Sequence, residues 1–202
     1  EPRPMRPAVN EQYAKFIADT AKLIRTIDAK HLITTGHEGR IGTESTELFE
    51  RVHADSNIDY LTIHIWPKNW GWLGNGPIAD SLQNAIDKTN SYIAEGLTSS
   101  HKLGKPLVIE EFGLPRDDRG FSPDSATKFR NKYYSEVFFY VGRMGGAVGA
   151  NFWAFGGTAR PIVNQPFWKR GDELMGDPPM EEQGLNSVFD SDTSTFDVIK
   201  RA

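Results

Sequence analysis

Four short apolar runs, separated by longer stretches of helical periodicity, constrain this chain more than any other feature. Residues 32–36 (LITTG), 60–66 (YLTIHIW), 106–112 (PLVIEEF) and 147–154 (AVGANFWA) are rich in β-branched and aromatic residues, and they read as buried strands. Ahead of the first run, Tyr13, Phe16, Ile17, Thr20, Ile24 and Ile27 recur at three- and four-residue spacing, which predicts an amphipathic helix of about five turns. Leu82, Ile86, Ile93 and Leu97 predict a second long helix, punctuated by Gly104 and Pro106. Ser122 as N-cap and Pro123 at the first helical position predict the start of a third. Its apolar face runs through Phe129, Tyr133, Val137 and Phe138. A shorter helix is predicted over 44–54 and a last one from near Thr193.

Regular alternation of strand and helix implies parallel strands joined by crossovers, hence an α/β fold, either a doubly wound sheet or a (β/α)8 TIM barrel. Two observations favour the barrel. Residues suited to chemistry fall at the C-terminal end of every run: Glu38, His64 with Trp66, Glu111, and Trp153. Barrel enzymes build their sites on that face. No glycine-rich phosphate fingerprint follows any of the runs, which weakens a nucleotide-binding fold. A barrel takes ~250 residues or more, so the expectation is that residues 1–202 form the carboxy-terminal half of one domain. They would supply roughly strands five to eight with their helices, and Glu1 would sit at the tip of strand four.

Composition excludes several classes. The net charge is −4 with no basic stripe, so no nucleic-acid partner is expected. No apolar run approaches the roughly 20 residues of a membrane-spanning helix. Cysteine is absent, which removes both a disulfide framework and a thiolate metal site. The opening Glu1-Pro-Arg-Pro-Met5 does not read as a signal peptide, and the chain reads as cut from a longer one. Trp66, Trp70 and Trp72 crowd into one short stretch. Flat aromatic faces suit the apolar C–H faces of sugar rings, although the same residues also serve as core or interface packing.

The carboxylates are the candidates for chemistry. Glycosidic cleavage needs an acid to protonate the leaving oxygen and a carboxylate to attack the sugar. Tips of strands four and seven lie across a barrel mouth, where Glu1 and Glu111 could form such a pair. Side chains of successive strand residues point to opposite sides, so alternation lets only one of Glu110 and Glu111 face the barrel axis. His37, Glu38 and His64 could be drawn together around a metal, but no H-x-x-x-H or comparable spacing supports that, and no metal is expected.

Several segments carry a resemblance, and they occur in the expected order along the whole chain. Glu1-Pro-Arg-Pro resembles the end of the Asn-Glu-Pro motif of clan A glycoside hydrolases, where the Glu is the acid/base. Ile109-Glu110-Glu111-Phe112-Gly113 resembles their strand-seven nucleophile motif, where the Glu before the aromatic-Gly pair attacks. Thr62-Ile-His64-Ile-Trp66-Pro67 resembles the strand-six His-x-aromatic motif, and Phe152-Trp153 the strand-eight Trp beneath the reacting sugar. Gly36-His37-Glu38-Gly39, with Arg3, is similar to family 5 β-mannanases, in which the matching Arg and Glu bind the aglycone side. The closing Ser187–Ser194 stretch also resembles that group. At the third position of the strand-six motif this chain has Trp66 where the family usually has Tyr.

The resemblance implies a retaining, endo-acting hydrolase of β-1,4-mannosidic bonds working by double displacement, extracellular or periplasmic, with mannan as substrate and no cofactor. Glu1 and Glu111 would be catalytic, with Arg3, Glu38, His64, Trp66 and Trp153 binding substrate. The missing amino-terminal half of the barrel would be a required partner segment. Two alternatives stay open: another clan A β-glycanase such as an endo-β-1,4-glucanase, and a carbohydrate-binding pseudoenzyme.

Overall fold

The computed structural model describes residues 2–4, 9–142 and 146–202. In chain order the elements are α1 (Asn10–Ile27), α2 (Arg40–Thr43), α3 (Thr46–His53), β1 (Leu61–Ile65), α4 (Ile78–Leu103), β2 (Leu107–Phe112), α5 (Lys128–Phe139), β3 (Ala147–Phe152), β4 (Phe155–Gly157), β5 (Val188–Phe189) and α6 (Thr193–Lys200). Strands β1, β2 and β3 form a parallel sheet in that order, and β4 pairs with β5 in a second, two-stranded one. Every residue of β1 is buried, as expected of a parallel strand covered on both faces.

Helices α4 and α5 supply the principal core, packing Leu82, Ile86, Ile93, Tyr133 and Val137 with Leu61, Ile63, Leu107 and Ile109 of the sheet. Gly96 lets α4 approach closely: a Cβ there would stand 3.2 Å from a methyl of Leu107. As predicted, α4 ends on Gly104 in the left-handed conformation at φ 63°.

Three expectations need correction. The run 32–36 forms no strand. It runs beside β1, but only the Asp59 N–H to Ile33 and the His64 N–H to Glu38 join it by backbone hydrogen bonds, at 2.7 and 3.0 Å. Gly36, at φ 66°, turns the backbone out of the extended region between them. The Thr34 and Thr62 hydroxyls instead bond to the Tyr60 and His37 carbonyls.

The third long helix starts at Lys128 rather than at Pro123. Asp117 explains the shift, because its Oδ1 accepts from the Phe129 N–H at 2.8 Å and so caps the first turn from outside the helix. The Ser122–Ser125 segment is a turn whose Ser125 carbonyl is held by Arg116 at 3.1 Å.

The face expected of α1 is only half buried. Tyr13, Ile17 and Ala21 pack on α3 in a separate core with Leu48 and Val52, while Phe16 (59%) and Ile27 (81%) are exposed. The predicted 44–54 helix is present as α3, its start marked by the Ser45 hydroxyl accepting from the Leu48 N–H.

After β3 the chain makes a long loop before returning through β5 to α6. Asp192, just before α6, accepts from both Arg116 nitrogens at 2.9 and 2.7 Å and from Arg130 at 2.9 Å. Both arginines are fully buried, so this cluster locks the β2–α5 loop, α5 and α6 together.

Candidate active site

A cleft of about 550 Å³ lies at the C-terminal ends of β1, β2 and β3, lined by Arg3, Glu38, Trp66, Trp70, Glu111 and Trp153 among others. Five of the expected site residues therefore converge here from five separate segments. The sixth described one, His64, lies behind Glu111. Glu1 lies outside the described residues.

The sheet register brings the carboxylates to their positions. Ile63 pairs with Ile109, but His64 pairs with Glu111, so β2 carries one extra residue at Glu110. This bulge overrides strand alternation. Both carboxylates reach the same imidazole: Oε2 of Glu110 is 3.0 Å from Nε2 of His64, and Oε2 of Glu111 is 3.2 Å from Nδ1. The expectation that only one of the pair faces inward is corrected accordingly. Of the two, only Glu111 lines the cleft.

Glu111 has a second neighbour. The Trp66 indole donates from Nε1 to Oε2 of Glu111 at 3.2 Å, so the residue standing in place of the usual Tyr keeps a donor on this carboxylate. Its ring fits because Gly113 has no side chain; a Cβ there would meet Cζ3 of Trp66 at 2.8 Å. Trp153 follows β3 directly, with its N–H bonded to the Phe112 carbonyl at 2.8 Å. Its ring stands edge-on to Trp66, centroids 6.3 Å apart. The two indoles thus form a corner beside Glu111.

On the opposite side, Glu38 is 4% exposed and is held from two directions. Arg3 pairs with its Oε2 at 2.8 Å, and Trp70 donates from its indole to Oε1 at 3.1 Å. The Tyr92 hydroxyl donates to the Glu38 carbonyl at 2.8 Å. Burial pushes the Tyr92 phenol up, which keeps it neutral and a donor. For Trp70, sugar stacking and packing were both open; it lines the cleft and also orients Glu38, a bond that no spacing in the sequence signals. Trp72 does not line the cleft but packs against Trp70 and Tyr92.

His37 turns away from the cleft. Its Nε2 shares a hydrogen bond with the Tyr13 hydroxyl, and its ring sits among Tyr13, Phe49 and His53. Burial pushes its pKa down to about 3, and that of His53 down to about 4. The loop after β3 walls the cleft with Pro178 and Glu181. It is tied to the loop after β1 by the Lys68–Glu182 ion pair at 2.6 Å.

The family model described as GH family 5 beta-mannosidase-like matches residues 1–202. Among solved structures, a glutamate-to-alanine variant of a glycoside hydrolase family 5 mannosidase from Rhizomucor miehei is 30% identical, with a TM-score of 0.82. That match covers 93% of this chain and 46% of the Rhizomucor chain. An endo-beta-1,4-mannanase from Thermotoga petrophila, at 19% identity and TM-score 0.66, shares the fold over 100% of this chain and 41% of its own. Mannan endo-1,4-beta-mannosidase 5 of Arabidopsis thaliana is 27% identical over 169 residues, 76% of this chain and 38% of that protein. The chain therefore spans less than half the length of these relatives, and it covers part of the TIM barrel that this family adopts. Matched along its whole sequence, it belongs to the beta-mannosidase-like group of glycoside hydrolase family 5.

Proposed function

We propose that residues 1–202 are the carboxy-terminal half of a single catalytic domain that cleaves β-1,4-mannosidic bonds with retention. The observation that carries this reading is Glu111: its carboxylate lines the cleft at the end of the central strand, held by Trp66 and beside Trp153. In this assignment β1, β2 and β3 are barrel strands six, seven and eight, and the segment at 32–36 stands in the place of strand five. The exposed apolar flank of α1 and the exposed Val148 on edge strand β3 support further βα units at both sides.

Double displacement then proceeds as follows. Glu111, ionised, attacks the anomeric carbon as the bond to the departing sugar breaks, and Glu1 gives its proton to the leaving oxygen. Water next attacks the glycosyl-enzyme, Glu1 takes the proton, and Glu111 is released. Trp153 would carry the reacting sugar, while Arg3 and Glu38 would bind hydroxyls on the aglycone side. Mannan is the proposed substrate, met outside the cell or in the periplasm; no helix of the described residues is long and apolar enough to cross a membrane.

A second reading is exo-acting release of single mannose units. It is supported by the Rhizomucor mannosidase likeness and by the wall that Pro178 and Glu181 build along the cleft. The test is hydrolysis of manno-oligosaccharides by the full-length protein and its Glu111→Ala variant. The proposal expects mixed short oligosaccharides from the parent and loss of turnover by about 10⁴-fold or more in the variant. Mannose alone from the parent would favour the exo reading, and an active Glu111→Ala would reject the assignment of Glu111.

A further inference from the structure

His37 and Glu38 are successive residues that reach the opening segment of the chain by two routes. Glu38 faces the cleft and pairs with Arg3 at 2.8 Å. His37 faces the core, where its Nε2 meets the Tyr13 hydroxyl of α1, and that hydroxyl donates to the Pro2 carbonyl at 3.2 Å. The direction of these bonds follows from the ring. Burial pushes the His37 pKa down to about 3, so the imidazole is neutral and has a single N–H. Its Nδ1 is buried and has no hydrogen-bond partner among the described residues. A proton there would lack an acceptor, so it sits on Nε2 and is donated to the Tyr13 oxygen. The Tyr13 proton is then left for Pro2. The far end of this connection is fixed to β1: the His37 carbonyl accepts from the Thr62 hydroxyl at 3.1 Å, and the Glu38 carbonyl from the His64 N–H at 3.0 Å.

We propose that Tyr13 and His37 are positioning residues for the acid/base, Tyr13 fixing the backbone at Pro2 and His37 orienting the Tyr13 hydroxyl. This role rests on the reading of Glu1 as the group that protonates the leaving oxygen. Pro2 follows Glu1 directly, and consecutive Cα atoms are separated by one peptide unit of fixed length. Proline fixes its own φ and restricts the residue before it, so Pro2 restricts Glu1 and Pro4 restricts Arg3. A stiff segment held at the Pro2 carbonyl and at the Arg3 guanidinium passes its placement on to the residue that precedes it. Displacement of a reacting group by about 1 Å can cost on the order of 100-fold in rate. Neither Tyr13 nor His37 is among the described residues that line the cleft, so their loss acts on proton delivery and leaves attack by Glu111 as it was.

The test uses the full-length enzyme and two substrates that differ only in their leaving group, phenyl β-mannoside and 2,4-dinitrophenyl β-mannoside. Phenoxide needs a proton to depart, whereas dinitrophenoxide, a far weaker base, leaves without one. The ratio of their kcat/KM values, phenyl over dinitrophenyl, is taken within one preparation and so does not depend on its folded fraction. It is measured for the parent, Tyr13→Phe, His37→Leu, Glu1→Ala and Ile17→Val, the last of which loosens the packing of α1 without touching the hydroxyl. The ratio should fall about 100-fold or more in Glu1→Ala, the usual weight of a general acid. It should fall about tenfold in Tyr13→Phe, the weight of one hydrogen bond, by a smaller factor in His37→Leu, and not at all in Ile17→Val. A parental ratio in Glu1→Ala would defeat the acid/base assignment, and the roles of Tyr13 and His37 with it. With Glu1→Ala as expected, a parental ratio in Tyr13→Phe overturns the positioning role alone. So would an equal fall in Ile17→Val and Tyr13→Phe, and a parental ratio in His37→Leu would remove His37 from the role.

Discussion

Trp66 donates from its indole nitrogen to Oε2 of Glu111 at 3.2 Å, and this bond is what remains of the carboxylate's aromatic partner when Tyr is replaced by Trp. An indole N–H is a donor only. It orients the carboxylate without offering a second acid. Trp66→Phe should therefore lower kcat by about tenfold through loss of a charge-assisted hydrogen bond. Trp66→Tyr should recover most of that loss. Steady-state kinetics on manno-oligosaccharides checks both, and a Phe variant with parental kcat would show that the bond is idle.

Acid stability should follow the buried histidines. His37 and His53 are held neutral by burial, with pKa values pushed down to about 3 and about 4. The unfolded chain takes up protons at its histidines below about pH 6.5, while the fold refuses them. Their contribution is thus fully present above about pH 6.5 and is lost progressively as pH falls, toward 4 for His53 and toward 3 for His37. For His53 the shift corresponds to roughly 3 kcal/mol at most. Melting curves between pH 7 and 4 should fall less steeply for His53→Gln than for the parent. Parallel slopes would remove His53 from the account.

The Arg116–Asp192–Arg130 cluster should be a stability feature. Removing Asp192 leaves two fully buried guanidinium groups without their shared carboxylate. Asp192→Ala is expected to cost about 3–5 kcal/mol in chemical denaturation, as for other broken buried ion pairs. A loss below about 1 kcal/mol, the range of a surface pair, would contradict this.

Much of the architecture was legible because burial writes itself into the sequence. The β-branched runs at 60–66, 106–112 and 147–154 appear as β1, β2 and β3, the first trimmed at both ends and the others at one. The run at 32–36 has the same composition, yet Gly36 and the threonine hydroxyls divert its backbone bonds. Asp117, a distant side chain, moved the start of α5, and local capping signals at Ser122 could not reveal that. The site shows the same division. Glu38, Trp66, Glu111 and Trp153 were readable from type and place at strand ends. The contact between Glu110 and His64 was not, because it depends on one inserted residue in the pairing, and a bulge leaves no mark in hydrophobic periodicity. The bond from Trp70 to Glu38 joins residues 32 positions apart and was equally silent.

The central claim is that Glu111 attacks the sugar and forms a covalent intermediate, and the stereochemistry of hydrolysis tests it most directly. A proton NMR time course of manno-oligosaccharide cleavage by the full-length enzyme, read before mutarotation, reports which anomer is released first. Double displacement predicts the β-anomer, with the configuration of the cleaved bond retained. Release of the α-anomer first would mean a single inverting attack by water and would contradict the role given to Glu111.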